Sequence, residues 1–79
     1  MTPYARQIAQ AIEYTDEATL AIVEQFMRDE TGGTLDHLTT PEFAALARQA
    51  AADAVQLQAA GQLAMVCDAN GLAMPPWAA

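Results

Sequence analysis

The chain is 79 residues long with a net charge of −7, from three Arg, no Lys and ten acidic residues. That is too short to divide into separately cored units and too negative for a phosphate backbone to hold it by counterion release. A single Cys, a single His and no Ser exclude an internal disulfide and a serine nucleophile and leave zinc without its usual ligands. Of the 42 hydrophobic residues 19 are alanine, so the larger apolar side chains are few and helix packing or self-association has to supply the stability.

The elements follow in chain order. β-branched residues are scattered and no useful stretch alternates apolar with polar, so the reading is all-α, a small three- or four-helix bundle. Thr2 and Pro3 form a cap and first-turn proline, and Tyr4, Ile8, Ala11 and Ile12 recur on one face, predicting a first helix from about Pro3 to Tyr14. Thr15 is the expected cap of a second helix spanning about Asp16 to Thr31, with Asp16 and Glu17 where the helix dipole favours negative charge. Leu20, Val23, Phe26 and Met27 make its stripe, Ile22 widens it, and Glu24 with Arg28 is expected as an ion pair on the wet side. Gly32-Gly33 ends it.

Leu35 and Leu38 are expected to plug the core from the connection that follows. Thr40, Pro41 and Glu42 repeat the start signal, and Phe43, Leu46, Ala47, Ala50, Ala54 and Leu57 then share a face of helix three. Continued unbroken from Pro41 to Ala69, that helix would be about 43 Å long, against a globule roughly 30 Å across for a chain of this size. Leu63, Val66 and Cys67 also fall about one residue out of phase with its stripe. A break near Gly61 is therefore favoured over a continuous helix, although Val55, Ala59, Leu63 and Val66 form a second stripe that runs through. Asn70-Gly71-Leu72 reads as a glycine cap, which gives a helical domain over residues 1–74 and a short nonhelical tail, 75–79, carrying Pro75-Pro76-Trp77.

No basic segment precedes an apolar one and no run of 18 apolar residues occurs, so neither a signal peptide nor a membrane span is expected and the reading is cytoplasmic. Abundant Ala with Arg in place of Lys fits a bacterial or phage origin. Gly32-Gly33-Thr34-Leu35 faintly echoes the prosthetic-group site of acyl carrier proteins, but the serine that carries the group is missing. Gly33-Thr34-Leu35-Asp36 matches the middle of a calcium-binding EF-hand loop. In that register, however, the first, fifth and twelfth ligand positions would be Arg28, Gly32 and Thr39, and putting Glu42 twelfth sets Asp36 where glycine belongs. No cofactor or metal is expected. A helix-turn-helix regulator resting on the turn before Thr40 lacks a basic helix face. His37 and Cys67 could form a thiol–imidazole dyad, but Cys67 beside Val66 reads as a core cysteine, and no enzymatic role is expected.

Charge is placed unevenly. Glu13, Asp16, Glu17, Glu24, Asp29, Glu30, Asp36 and Glu42, less Arg28, account for the whole net charge, so helix two and its flanks form a candidate acidic docking face. Much of that acidity also has a local explanation in first-turn capping and the Glu24–Arg28 pair. Met27 and Met65 are expected to fill the core. Trp77 either folds back over it or is presented to a partner as an aromatic anchor. The leading reading is a non-enzymatic protein–protein interaction module that self-associates through Ala-rich helix three, with Glu13, Asp16, Glu17, Glu24, Asp29, Glu30, Asp36 and Trp77 as candidate partner-binding residues. The alternatives are an inhibitor that sets its acidic face on a basic nucleic-acid-binding host protein and, behind it, a small thiol-dependent enzyme.

Overall fold

The computed structural model describes residues 3–78, and the predicted cap at Thr2 lies outside them. Four helices pack together with no strand among the described residues: α1 (Ala5–Ala11), α2 (Glu17–Thr31), α3 (Thr40–Ala59) and α4 (Leu63–Ala69), followed by a short 3-10 turn, Pro76–Ala78. The globule measures 33 × 24 × 22 Å with a radius of gyration of 11.6 Å. Its accessible surface is 4747 Å², close to the roughly 4,600 Å² that size scaling assigns to a folded monomer of this mass. The chain by itself is thus as compact as a folded domain of its size.

Two helix starts fall one residue from their expected positions, and side-chain reach explains both. The Asp16 carboxylate accepts from the backbone N–H of Thr19 at 2.9 Å and from its hydroxyl at 2.7 Å, so Asp16 rather than Thr15 caps α2. Thr39 rather than Thr40 caps α3, because only Thr39 stands three residues before Glu42. Thr39 accepts from the Glu42 N–H at 3.3 Å while the Glu42 carboxylate accepts from the Thr39 N–H at 2.9 Å, a reciprocal capping box with Pro41 in the first turn.

Hydrogen bonding of the carboxylate to Thr39, first of all to its backbone N–H, holds the Glu42 carboxyl below its ordinary value of 4.5. The capping box therefore stabilises the chain fully above that value, and its contribution is lost as pH falls through the lower folded value. Acid titration followed by circular dichroism checks this: Glu42→Ala is expected to lower stability at neutral pH and to flatten the acid limb, whereas an unchanged limb would count against it.

Helix α1 stops at Ala11 rather than Tyr14, since Ile12 is extended at φ −122° and ψ 172°. Ile12 still packs on the core, while the Tyr14 ring leaves the helix line to meet Trp77, 5.5 Å between centroids. Helix α3 does break near Gly61. The Gln62 N–H reaches back to the Leu57 carbonyl at 2.8 Å and the Gly61 N–H to that of Gln58 at 3.0 Å, which requires the left-handed φ of +72° at Gly61. A side chain there would be strained.

The core has two lobes. The larger joins α1, α2 and α3 through Ala5, Ile8, Leu20, Val23, Met27, Leu35, Phe43, Ala47, Ala50 and Ala51, with Leu38 and Leu46 packed at its edge. Leu35 plugs it as expected, at 2% exposure. The smaller joins Ile22, Ala54, Leu63, Cys67 and Ala78, covered by Leu57, Leu72, Met74 and Trp77, and Phe26 touches both lobes. Ile22 therefore does not widen the α2 stripe but starts a second one. Alanines along α3 let the neighbouring helices approach on both sides.

Candidate functional site

The acidic residues differ in exposure and in the partners they hold. Glu13, Glu17, Asp29, Glu30 and Asp36 are exposed, Asp16 is half-buried in its cap, and Glu24 is 8% exposed. The expectation that Glu24 sits on the wet side is thus corrected. Arg28 does pair with it, Nε to Oε2 at 3.2 Å, but Glu24 turns inward and the other oxygen, Oε1, is buried without a hydrogen bond. The pull is tertiary, because the Arg28 guanidinium also donates to the Gly33 carbonyl at 2.7 Å and lies 5.6 Å from the centroid of the Tyr4 ring. Arg28 ties α1, α2 and the loop after α2 together.

Asp36 accepts from the Tyr4 hydroxyl, which raises the phenol above its ordinary value by stabilising the protonated form. Asp29 accepts from the Gln25 amide at 2.9 Å. Among the acids read as a docking face, Asp16, Glu24, Asp29, Asp36 and Glu42 accept hydrogen bonds or pair within the fold.

His37 is exposed in the α2–α3 connection, whereas Cys67 is 1% exposed in the smaller lobe. Burial pushes the Cys67 thiol up, away from the thiolate a nucleophile needs. No group of three His, Cys, Asp or Glu among the described residues could hold a metal ion, and none of the described helices is long and apolar enough to cross a membrane.

Trp77 folds back. Pro76–Ala78 forms a 3-10 turn where a nonhelical tail was expected, with Pro75 fully buried and Ala78 9% exposed. The indole Nε1 donates to the Thr19 hydroxyl at 2.8 Å, and the Gln58 amide donates to the Ala78 carbonyl at 3.1 Å. Sequence reading named Trp77 but not Thr19, which carries no local signal beyond its place three residues after the cap.

Met65 is a second correction. It is 73% exposed rather than core-filling, since Leu63 and Cys67 point inward and a residue midway between them faces out. Val55 on α3 is 42% exposed. These are the large hydrophobic side chains left open to solvent among the described residues, with Ala45, Ala52, Ala59 and Ala64 exposed along the same two helices. The only charged side chains between Phe43 and Ala78 are Arg48, Asp53 and Asp68. Shallow grooves flank the helices. One of about 270 Å³ lies over Phe43, Ala44 and Ala11 between α1 and α3, and another of about 460 Å³ lies between the start of α2 and residues 71–73.

No family model, curated protein or solved structure matches this chain.

Proposed function

We propose that this chain is a small non-enzymatic interaction module that associates with a second copy of itself through the outer surface of α3 and α4. The observation that carries the reading is the exposure of Met65 and Val55, 73% and 42%, on helices whose other side is fully packed. Local charge supports a second copy as the partner: the acids cluster on residues 13–42, leaving Arg48, Asp53 and Asp68 on this part of the chain. Two copies meeting here bring little like charge together, whereas contact through the α2 side would set carboxylates against one another. Burial of Cys67 and the position of His37 support the absence of catalysis.

Sedimentation equilibrium tests the reading. The wild-type chain is expected to dimerise in the micromolar range, and Val55→Glu with Met65→Glu to weaken that by about a hundredfold, because each charge would have to be desolvated. A wild-type chain that stays monomeric at high micromolar concentration, or a double variant that dimerises as well as wild type, refutes it. The inhibitor reading keeps the exposed Glu13, Glu17, Asp29 and Glu30, while Asp16, Glu24, Asp36 and Glu42 hold partners within the fold.

A further inference from the structure

The segment after α4 folds back over the smaller core lobe. Helix α4 ends where the Leu72 N–H bonds the Cys67 carbonyl at 2.8 Å, across Gly71 at φ +67°, and residues 72–75 have no regular structure. Beyond that joint the segment is held by side chains rather than by a backbone ladder. Pro75 is buried, Leu72, Met74, Trp77 and Ala78 close over Ile22, Ala54, Leu63 and Cys67, and two hydrogen bonds tie it down, Trp77 to Thr19 and Gln58 to Ala78.

The receiving surface is chemically selective. The Thr19 hydroxyl donates its one proton to Asp16, 2.7 Å from Oδ2 and 2.8 Å from Oδ1, so a lone pair is what it offers outward. Thr19 is 1% exposed, and an apolar ring set against that lone pair would leave the oxygen half-satisfied. The site therefore asks for an N–H on an aromatic body, which the indole supplies while packing at a 39° tilt against the Tyr14 ring. Pro75 and Pro76 restrict the approaching backbone before it docks, which lowers the ordering cost of binding.

We infer that the Asp16–Thr19–Tyr14 surface, with the apolar floor of the smaller core lobe, is a receptor for a Pro-Pro-Trp segment, and that a second copy's C-terminal segment can occupy it in place of the chain's own. The segment, its contacts and its chemistry are those seen within one chain; only the covalent origin changes, with the Gly71 joint opening to pass the segment across. The inference rests on the self-association proposed above and gives it a specific means: exchange of C-terminal segments.

The test uses the full-length Trp77→Phe chain, which contains no tryptophan, and a synthetic peptide corresponding to residues 71–79, whose indole is then the only one in solution. Titrating the chain into the peptide is expected to give a saturable blue shift of the indole emission. Adding Thr19→Val to the chain is expected to weaken the titration by about tenfold, the cost of leaving the indole N–H unpaired. Unchanged emission at millimolar chain, with the variant helical and melting cooperatively, overturns the inference. Should Trp77→Phe fail to fold, the wild-type chain and a fluorotryptophan peptide followed by fluorine NMR give the same reading through displacement of the native segment. Sedimentation of the wild-type chain separates this inference from the broader one. Dimers without peptide capture leave the α3–α4 contact standing and refute exchange, and capture by a chain that remains monomeric at every concentration refutes exchange between copies.

Discussion

Arg28→Ala is expected to destabilise the chain by about 3 kcal/mol, mostly through what it leaves behind rather than what it removes. Glu24 is 8% exposed and its Oε1 already lacks a partner, so without the guanidinium a carboxylate stays buried with neither oxygen paired. Breaking a fully buried pair costs ~3–5 kcal/mol. Arg28 is 30% exposed on its side chain, so solvent reaching the pair reduces that, while loss of the Gly33 bond and the Tyr4 contact adds to it. For a domain of this length, whose whole stability is about 4–12 kcal/mol, such a loss approaches unfolding.

Urea titration of a double-mutant cycle resolves the two contributions. Glu24→Leu combined with Arg28→Met is expected to recover all but about 1 kcal/mol, because an apolar pair of similar size removes the stranded charge and leaves only the Gly33 carbonyl short of a donor. If Arg28→Ala cost less than about 0.5 kcal/mol, Arg28 would be an ordinary surface residue and the tie between α1, α2 and the loop would carry no weight.

Ile22→Ala is the second large effect, about 3 kcal/mol and a fall in melting temperature of roughly 15 °C. Ile22 is fully buried in the smaller lobe, against Ala54, Leu63, Cys67 and Ala78. Alanine and cysteine neighbours have little side chain with which to collapse into the space, so the cavity persists. The damage is also local. The lobe is roofed by the segment that carries Trp77, so its indole emission is expected to shift red in Ile22→Ala at temperatures where the helical signal is unchanged. Val23→Ala, in the larger lobe, is expected to leave that emission alone until global melting. Identical shifts in the two variants would mean that the lobes melt as one and that the C-terminal segment has no separate equilibrium. An opening confined to the segment is what exchange between copies requires.

Exposed residues on α3 and α4 follow the same logic from the other side. The packed faces of these helices are complete in the monomer, so Met65, 73% exposed, and Val55, 42% exposed, add little to its stability. Their replacement by polar residues is expected to change the melting temperature little at concentrations where the wild-type chain is monomeric while altering association, a separation that core residues cannot show.

Much of this was decided by signals that act within a turn or two of chain. An aspartate or threonine beside a free N–H, a glutamate three residues on, glycines at 32, 61 and 71, and apolar residues recurring with the helical period were enough for an all-α fold and for both ends of α2 and the start of α3 to within a residue, and they favoured the break near Gly61 over a stripe that ran through it. Cap assignments slipped by one at Asp16 and Thr39 because adjacent residues compete for the same N–H and the spacing of the second partner decides between them. Which carboxylate turns inward, which methionine faces out and where the last tryptophan settles were decided by tertiary structure alone. Glu24 is buried because Arg28 is drawn to Tyr4 and Gly33. Met65 is exposed because α4 is short and spends its single inward face on Leu63 and Cys67. Trp77 finds Thr19 across 58 positions of chain, a pairing that no local propensity encodes. It exists only once α2, α3 and α4 have brought the hydroxyl, its orienting aspartate and an apolar floor to one place.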